Sequence, residues 1–162
     1  WAMGLAADAL TYLRDAGLPI KTTWIPEDST VHWLLVVVPQ DWRERLPGMS
    51  SEALAQRIGE VLFKTDAMVF IPKVYVVDAD FDPTNLREVV WVLSTRVHPV
   101  GRRAVFDDQR VIRLPQCYDE AEYVAGKGAK VVFDTLQSVR HLHASFEQGY
   151  PEDVRQRVLA NW

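Results

Sequence analysis

With 162 residues, 48% of them apolar and 25% charged, the chain has the size and balance of one ordinary globular domain and not of a disordered segment. A net charge of −4 argues against the Lys/Arg footprint of a nucleic-acid binder, and the longest apolar run, "WLLVVV" (33–38), is far below the ~20 residues that cross a bilayer. The single cysteine, Cys117, excludes an internal disulfide and suits a reducing cytoplasm, with a buried, inert thiol as the expected state.

"WAMGLAADALTYLRDAGLP" opens the chain with Met3, Ala6, Leu10 and Leu13 at helical spacing, then Gly17 and Pro19 as stop signals. It has no initiator Met, charged n-region or cleavage-site pattern, and the helix reads as already under way at Trp1, as in a piece of a larger protein. "IKTTWI" (20–25) alternates in β-rich residues and "EDST" (27–30) is turn chemistry. "VHWLLVVV" (31–38) reads as a buried strand that Pro39 ends. "MSSEALAQRIGEVLFK" predicts a helix capped by Ser50 or Ser51, with Leu54, Ile58, Val61 and Leu62 on one face. "MVFIPKVYVVDAD" (68–80) is too continuously apolar for a strand with a wet face. It predicts the central strand of a covered sheet, with Pro72 near its beginning.

Asp82 can cap the helix that follows, with Pro83 at its first position and Leu86, Val89, Val90 and Leu93 as its apolar stripe. Residues 97–128 are poor in pattern and rich in Pro, Gly and charge, which predicts a long irregular excursion of a kind that often carries function. "AKVVFDTL" (129–136) is a last short strand or extended segment, and "YPEDVRQRVLANW" (150–162) a final helix with Val154, Val158 and Leu159 inward. Alternating strands and helices predict an α/β sandwich, one domain over 1–162.

"DADFD" has carboxylates at alternate positions, as a calcium loop would. Counted from Asp78, however, the sixth residue is Pro83 and the twelfth Val89, where such a loop needs Gly and a bidentate Glu. A strand ending in carboxylates and feeding a helix is the better reading. "HLH" (141–143) could offer two imidazoles to a metal, but no third ligand stands in pattern. "GKGAK" (126–130) lacks the spacing and the Lys-Ser/Thr ending of a phosphate loop. No glycine fingerprint of a nucleotide-binding fold follows any strand.

The longer phrase "VVDADFDPTNLREVVWVLSTRVHP" (76–99) resembles the signature of the UbiD family of decarboxylases, through Asp78, Asp80, Asp82, Val89, Trp91, Thr95, Arg96 and Pro99. "GAKVVFDTL" (128–136) is similar to that family's Gly-x-Lys-Val-x-x-Asp element. "GLPIKTTWIPEDSTVHWLLVVV" (17–38) and the closing "YPEDVRQRVLANW" resemble its ferulic and phenolic acid decarboxylase branch. The resemblance covers nearly all of the chain in the expected order.

It implies a single mixed-sheet α/β sandwich, the C-terminal domain that in this family dimerises and closes one side of the active-site cleft. The whole enzyme would be cytoplasmic and would use prenylated FMN, with Mn and K, to decarboxylate aromatic or α,β-unsaturated acids reversibly. The family's Glu-Arg-Glu catalytic set and its metal ligands belong to earlier domains, so no catalytic residue, no metal ligand and no bound cofactor is expected in 1–162. The implied partners are a second copy of the domain, the enzyme's own N-terminal and cofactor-binding domains, and a small acid; nucleic acid and membrane are not among them.

Some of the branch's pocket residues fall within the chain. An apolar pair after "FDD" becomes Ile112 and Leu114, with Ile112 replacing an aromatic and Arg113 a proline, so the pocket should differ in shape. The segment entering the long strand contributes Val69, Phe70 and Pro72. The branch's phosphate-binding lysine aligns with Asp66, and Lys64 takes its place only if the loop shifts by two residues. Arg96 reads as structural, pairing with carbonyls or an acid at a helix end. From another class, the alternative is a stand-alone α/β assembly or interaction domain, which the gene's upstream reading frame would separate from the enzyme.

Overall fold

The computed structural model describes residues 1–138, 141 and 150–161. Thr22–Trp24 (β1), Trp33–Val38 (β2), Lys73–Asp78 (β3), Arg103–Arg110 (β4) and Lys127–Asp134 (β5) form one sheet in the order β1-β2-β3-β5-β4. The pairs β2-β3 and β3-β5 are parallel, while β1 and β4 run antiparallel along the two edges. The sheet is mixed, with β3 at its centre, as its unbroken apolar run predicts.

Helices cover both faces. Ala2–Asp15 (α1) and Ser51–Leu62 (α3) bring Leu13, Leu54, Ile58 and Leu62 against Leu34, Val36, Val74, Val76 and Val132. On the other face Leu86–Arg96 (α4) lays Val89 and Val92 on Leu35, Val37, Tyr75 and Val77. Successive residues of β2 and β3 therefore point into two different cores, which is why neither strand alternates with polar residues. Each of these aliphatic side chains, fully buried, contributes roughly 1.5–3 kcal/mol. Shorter helices, Trp42–Arg45 (α2) and Glu120–Ala125 (α5), and a last one, Glu152–Ala160 (α6), complete the described elements.

Local chemistry accounts for several boundaries. Ser50 caps α3 by accepting a hydrogen bond from the Ala53 N–H at 3.1 Å. Asp119 and Glu122 form a reciprocal capping box on α5, which Gly126 ends in a left-handed conformation at φ 64°.

Other expectations are corrected. Residues 97–128 are not one irregular excursion, because they contain β4 and α5. The strand is hard to read because it is a solvated edge, with a register shift between Phe106 and Gln109 and Asp108 at φ 60°. The α4 helix begins at Leu86 under an Asn85 cap, not at Pro83. Asp82 instead closes a tight turn, accepting from the Thr84 N–H at 2.9 Å and the Thr84 hydroxyl at 2.7 Å. Residues 68–70 are not strand either: Asp66–Phe70 is a 3-10 turn, and β3 begins only at Lys73, after Pro72. In α1, Met3 points to solvent while Leu5 and Ala9 are buried beside Ala6 and Leu13. Leu86 and Val90 of α4, and Val158 and Leu159 of α6, are likewise exposed.

Candidate functional site

Two ends of the sheet hold chemistry. At the end where β3 and β5 begin and β4 finishes, the 3-10 turn Asp66–Phe70 carries Phe70, a partly buried ring that meets Trp1 edge-on at 4.6 Å. The Phe70 carbonyl lies 3.0 Å from His32 Nδ1, which donates to it as the Nδ1–H tautomer. Asp66 pairs with Arg110 at 2.7 Å and so ties the turn to the end of β4. That pair is exposed and adds register, with little energy.

From Arg110 the chain enters 111–119. Val111 is 8% exposed, and its N–H donates to Gly126 O, anchoring the segment. Pro115 is buried as well. Between these anchors Ile112 is partly buried and Leu114 is 62% exposed. The fold thus brings Phe70, Ile112 and Leu114 to one end of the sheet. Lys64 is near the same turn in sequence, just past α3, and is exposed. A shallow cleft of about 240 Å³ runs between His32, Trp33, Pro72 and Lys73 and the following residues Pro115 to Cys117. The Cys117 thiol is exposed, not buried as expected, because it rides on this surface segment and not on a strand or helix.

At the other end, where β3 and β5 finish, the acidic motif is an ion cluster. Arg96 donates to both Asp80 oxygens, at 3.1 and 2.6 Å, and stands 3.8 Å from Asp78. Asp78 also accepts from the Gln137 N–H at 2.7 Å, and the Gln137 amide reaches Asp80 at 3.1 Å. Burial pushes the Asp78 carboxyl above its ordinary value, outweighing the Gln137 N–H and the Arg96 charge that pull it down. Next door, Arg102 grips Asp134 through two bonds and also donates to the Leu136 carbonyl.

A cleft of about 490 Å³ opens beside these pairs, walled by Trp91, Thr95, Arg96, Pro99 and Arg102 among others. Arg96 is thus the partner of an acid, as its place at the end of α4 suggested. Asp78 and Asp80 face Arg96 while Asp82 faces Thr84, so the three carboxylates of "DADFD" do not converge on an ion. His141 is 2.9 Å from the Ser138 hydroxyl; His143 lies outside the described residues, so the "HLH" pair is not assembled here.

Lys130 went unread as a site residue. On β5 the inward positions are Gly128, Lys130, Val132 and Asp134, so the lysine sits where packing asks for an apolar side chain and is 2% exposed. Its ammonium donates to the carbonyls of Met68 at 2.8 Å and Val69 at 3.2 Å, and lies 5.3 Å from the Phe63 ring. Burial pushes it down to about 8. The period-2 alternation of "GAKVVFD" was the signal that could have found it.

The family model for the 3-octaprenyl-4-hydroxybenzoate carboxy-lyase C-terminal domain matches residues 1–135. The chain belongs to the UbiD C-terminal domain family. Pyrrole-2-carboxylic acid decarboxylase of Pseudomonas aeruginosa is 29% identical over 168 residues, which cover 100% of this chain and 34% of that protein. Ferulic acid decarboxylase 1 of Saccharomyces cerevisiae is 27% identical, covering 98% of this chain and 33% of that protein. Among solved structures, the UbiD-class enzyme HmfF from Pelotomaculum thermopropionicum, in complex with FMN, superposes with a TM-score of 0.67 over 99% of this chain and 33% of its own, at 17% identity. That last likeness shows the mixed-sheet fold.

The UbiD domain spans about a third of the length of the curated relatives it matches. Among the described residues no three His, Cys, Asp or Glu side chains gather around a common point. Lys64, just past the end of α3, is exposed.

Proposed function

We propose that this chain is the dimerising, pocket-closing domain of a cytoplasmic, prenylated-FMN-dependent decarboxylase acting reversibly on aromatic or α,β-unsaturated acids. The observation that carries the reading is the alignment of nearly the whole chain with about a third of the pyrrole-2-carboxylic and ferulic acid decarboxylases, alongside the match to a carboxy-lyase C-terminal domain. In this reading the residues that hold flavin, manganese and potassium, and the acid–base set, lie in the part of the enzyme that 1–162 does not span. This chain's share is positional. Phe70, Ile112 and Leu114 form an apolar wall that excludes water from the acid and selects its shape, and Lys64 stands at the margin nearest a cofactor phosphate.

The dimer is supported by large apolar side chains that the fold leaves outside its two cores. Trp91 is 59% exposed and Val90 50% on the outer side of α4, and Val105 is 50% exposed on edge strand β4. Among the described residues, no helix is long and apolar enough to cross a membrane.

The test begins with the complete coding sequence, expressed in a host that supplies prenylated FMN and assayed for CO₂ release from pyrrole-2-carboxylate, ferulate and cinnamate. Turnover of at least one acid by the complete protein, with none from purified 1–162, is the expected outcome. Turnover by 1–162 alone, or none by the complete protein, overturns it. Sedimentation at high micromolar concentration should give a dimer; a monodisperse monomer removes the dimerising role.

A further inference from the structure

Lys130 is a cation placed in a core. Its neighbours on the same face of the sheet are Val132 and, across the strand pair, Phe106, with the Phe63 ring above the ammonium. An aliphatic side chain of the same length would pack there without the expense of desolvating a charge. What it could not do is donate hydrogen bonds. Both of the lysine's bonds go to consecutive carbonyls, Met68 and Val69, in the last residues of the Asp66–Phe70 turn. The Met68 carbonyl also accepts the Ile71 N–H at 3.2 Å, so the lysine grips the turn where it closes.

The residue after Val69 is Phe70. Its backbone is held on one side by Lys130, through the preceding carbonyls, and on the other by His32 at the Phe70 carbonyl. The other end of the turn is tied by the Thr65 hydroxyl, which donates to the Leu62 carbonyl at 2.7 Å, and by the exposed Asp66–Arg110 pair. Of these ties, the lysine is the one rooted in the sheet interior, on a strand paired on both sides. A 3-10 turn of this length has weak internal bonds and takes its position from what holds it.

We propose that Lys130 is the positioning residue that fixes the Phe70 wall, and through it sets which widths of acid the pocket accepts. This rests on the reading of Phe70 as part of the pocket. The lysine touches neither substrate nor cofactor in it; it acts through the turn. Removing it takes this donor from the Val69 carbonyl, leaves the Met68 carbonyl with the Ile71 N–H and lets Phe70 move, while relief from the buried charge offsets much of the lost bonding. The two effects separate the role from a merely structural one: the turn should loosen while global unfolding changes little.

The experiment uses the complete enzyme with Lys130→Met, Phe70→Ala and the double variant. Hydrogen exchange is followed by mass spectrometry, together with kcat/KM for a narrow acid, pyrrole-2-carboxylate, and a wide one, ferulate. For Lys130→Met, amides of 66–71 should exchange at least about tenfold faster while those of α3 keep their parent rates. The ferulate-to-pyrrole-2-carboxylate ratio should shift at least about fivefold, in the same direction as for Phe70→Ala. The double variant should shift it no further than Phe70→Ala alone.

Unchanged exchange at 66–71 overturns the inference. So does a double variant whose shift is the product of the single shifts, because Lys130 then acts by another route. If Phe70→Ala moves the ratio and Lys130→Met does not, the inference falls and the pocket reading stands. If neither moves it, Phe70 is no wall and both fall. Should Lys130→Met not fold, Lys130→Leu, which likewise carries no donor, is held to the same outcomes.

Discussion

Replacing Arg96 by Met removes the cation that, among the described residues, touches both acids at the end of β3. The side chains involved are nearly closed to solvent, at 10% for Arg96, 8% for Asp80 and 5% for Asp78. Two bonds to Asp80 and a charge contact to Asp78 disappear together, leaving two buried carboxylates with Gln137 as their donor among the described residues. Breaking a buried pair from one side costs about 3–5 kcal/mol, a large part of the roughly 5–15 kcal/mol that holds a domain.

The loss should depend on pH, with a definite sign. The Asp78 carboxyl already sits above its ordinary value through burial. Between that ordinary value and the raised native one, the folded state binds more protons than the unfolded chain, so stability falls as pH rises through the window. Without Arg96 the window widens upward, and the deficit of the variant is largest at neutral pH and shrinks on acidification. Urea unfolding of parent and Arg96→Met at pH 7 and pH 4.5 reads both effects. The triple variant Asp78→Asn, Asp80→Asn, Arg96→Met removes all three charges and should recover most of the loss. A deficit under about 1 kcal/mol at pH 7, or one that does not narrow at pH 4.5, refutes the cluster as a buried ionic unit.

Asn85→Ala should cost about 1 kcal/mol in thermal unfolding because Asn85 caps α4. Asp82→Ala, which removes only an exposed turn contact, should cost less, and the reverse order would return the cap to Asp82. Calcium should leave the melting temperature unchanged in both. In the complete enzyme, Leu114→Phe should alter the ratio among acids of different width several-fold, within the roughly 1–3 kcal/mol of a methylene-sized contact. Stability should hold, since Leu114 is 62% exposed; unchanged ratios would make it an ordinary surface leucine. For Lys130, the native ammonium is pushed down to about 8 from 10.5 in the unfolded chain. Between those values the unfolded chain binds the extra proton, so the stability of parent relative to Lys130→Met should rise with pH, by up to about 3 kcal/mol. Urea curves at pH 7.5 and 9.5 that differ by a constant amount would contradict that.

The sequence by itself determined the layer architecture and the family. Unbroken apolar runs at 33–38 and 74–77 are legible because burial on both faces leaves no room for polar alternation, and a Ser cap ahead of a helical stripe is a local signal. The motif around "DADFD" carried the family, since it depends on residue order and not on contacts. Tertiary structure alone decided what each acid of that motif does. Asp78 and Asp80 became an ion cluster only when the end of α4 returned Arg96 to them and the segment after β5 brought Gln137.

Edge strand β4 stayed hidden in the sequence because its hydrogen bonds come from β5 and its outer side is solvated, so neither composition nor alternation marks it. The capping box of α5 was there to be read, yet a six-residue helix with no buried side chain offers no stripe. Lys130 shows the same limit from the other direction. A lysine in a sequence reads as surface, and only the packing of β5 under the Asp66–Phe70 turn places its charge inside, because carbonyls distant in sequence take the place of water.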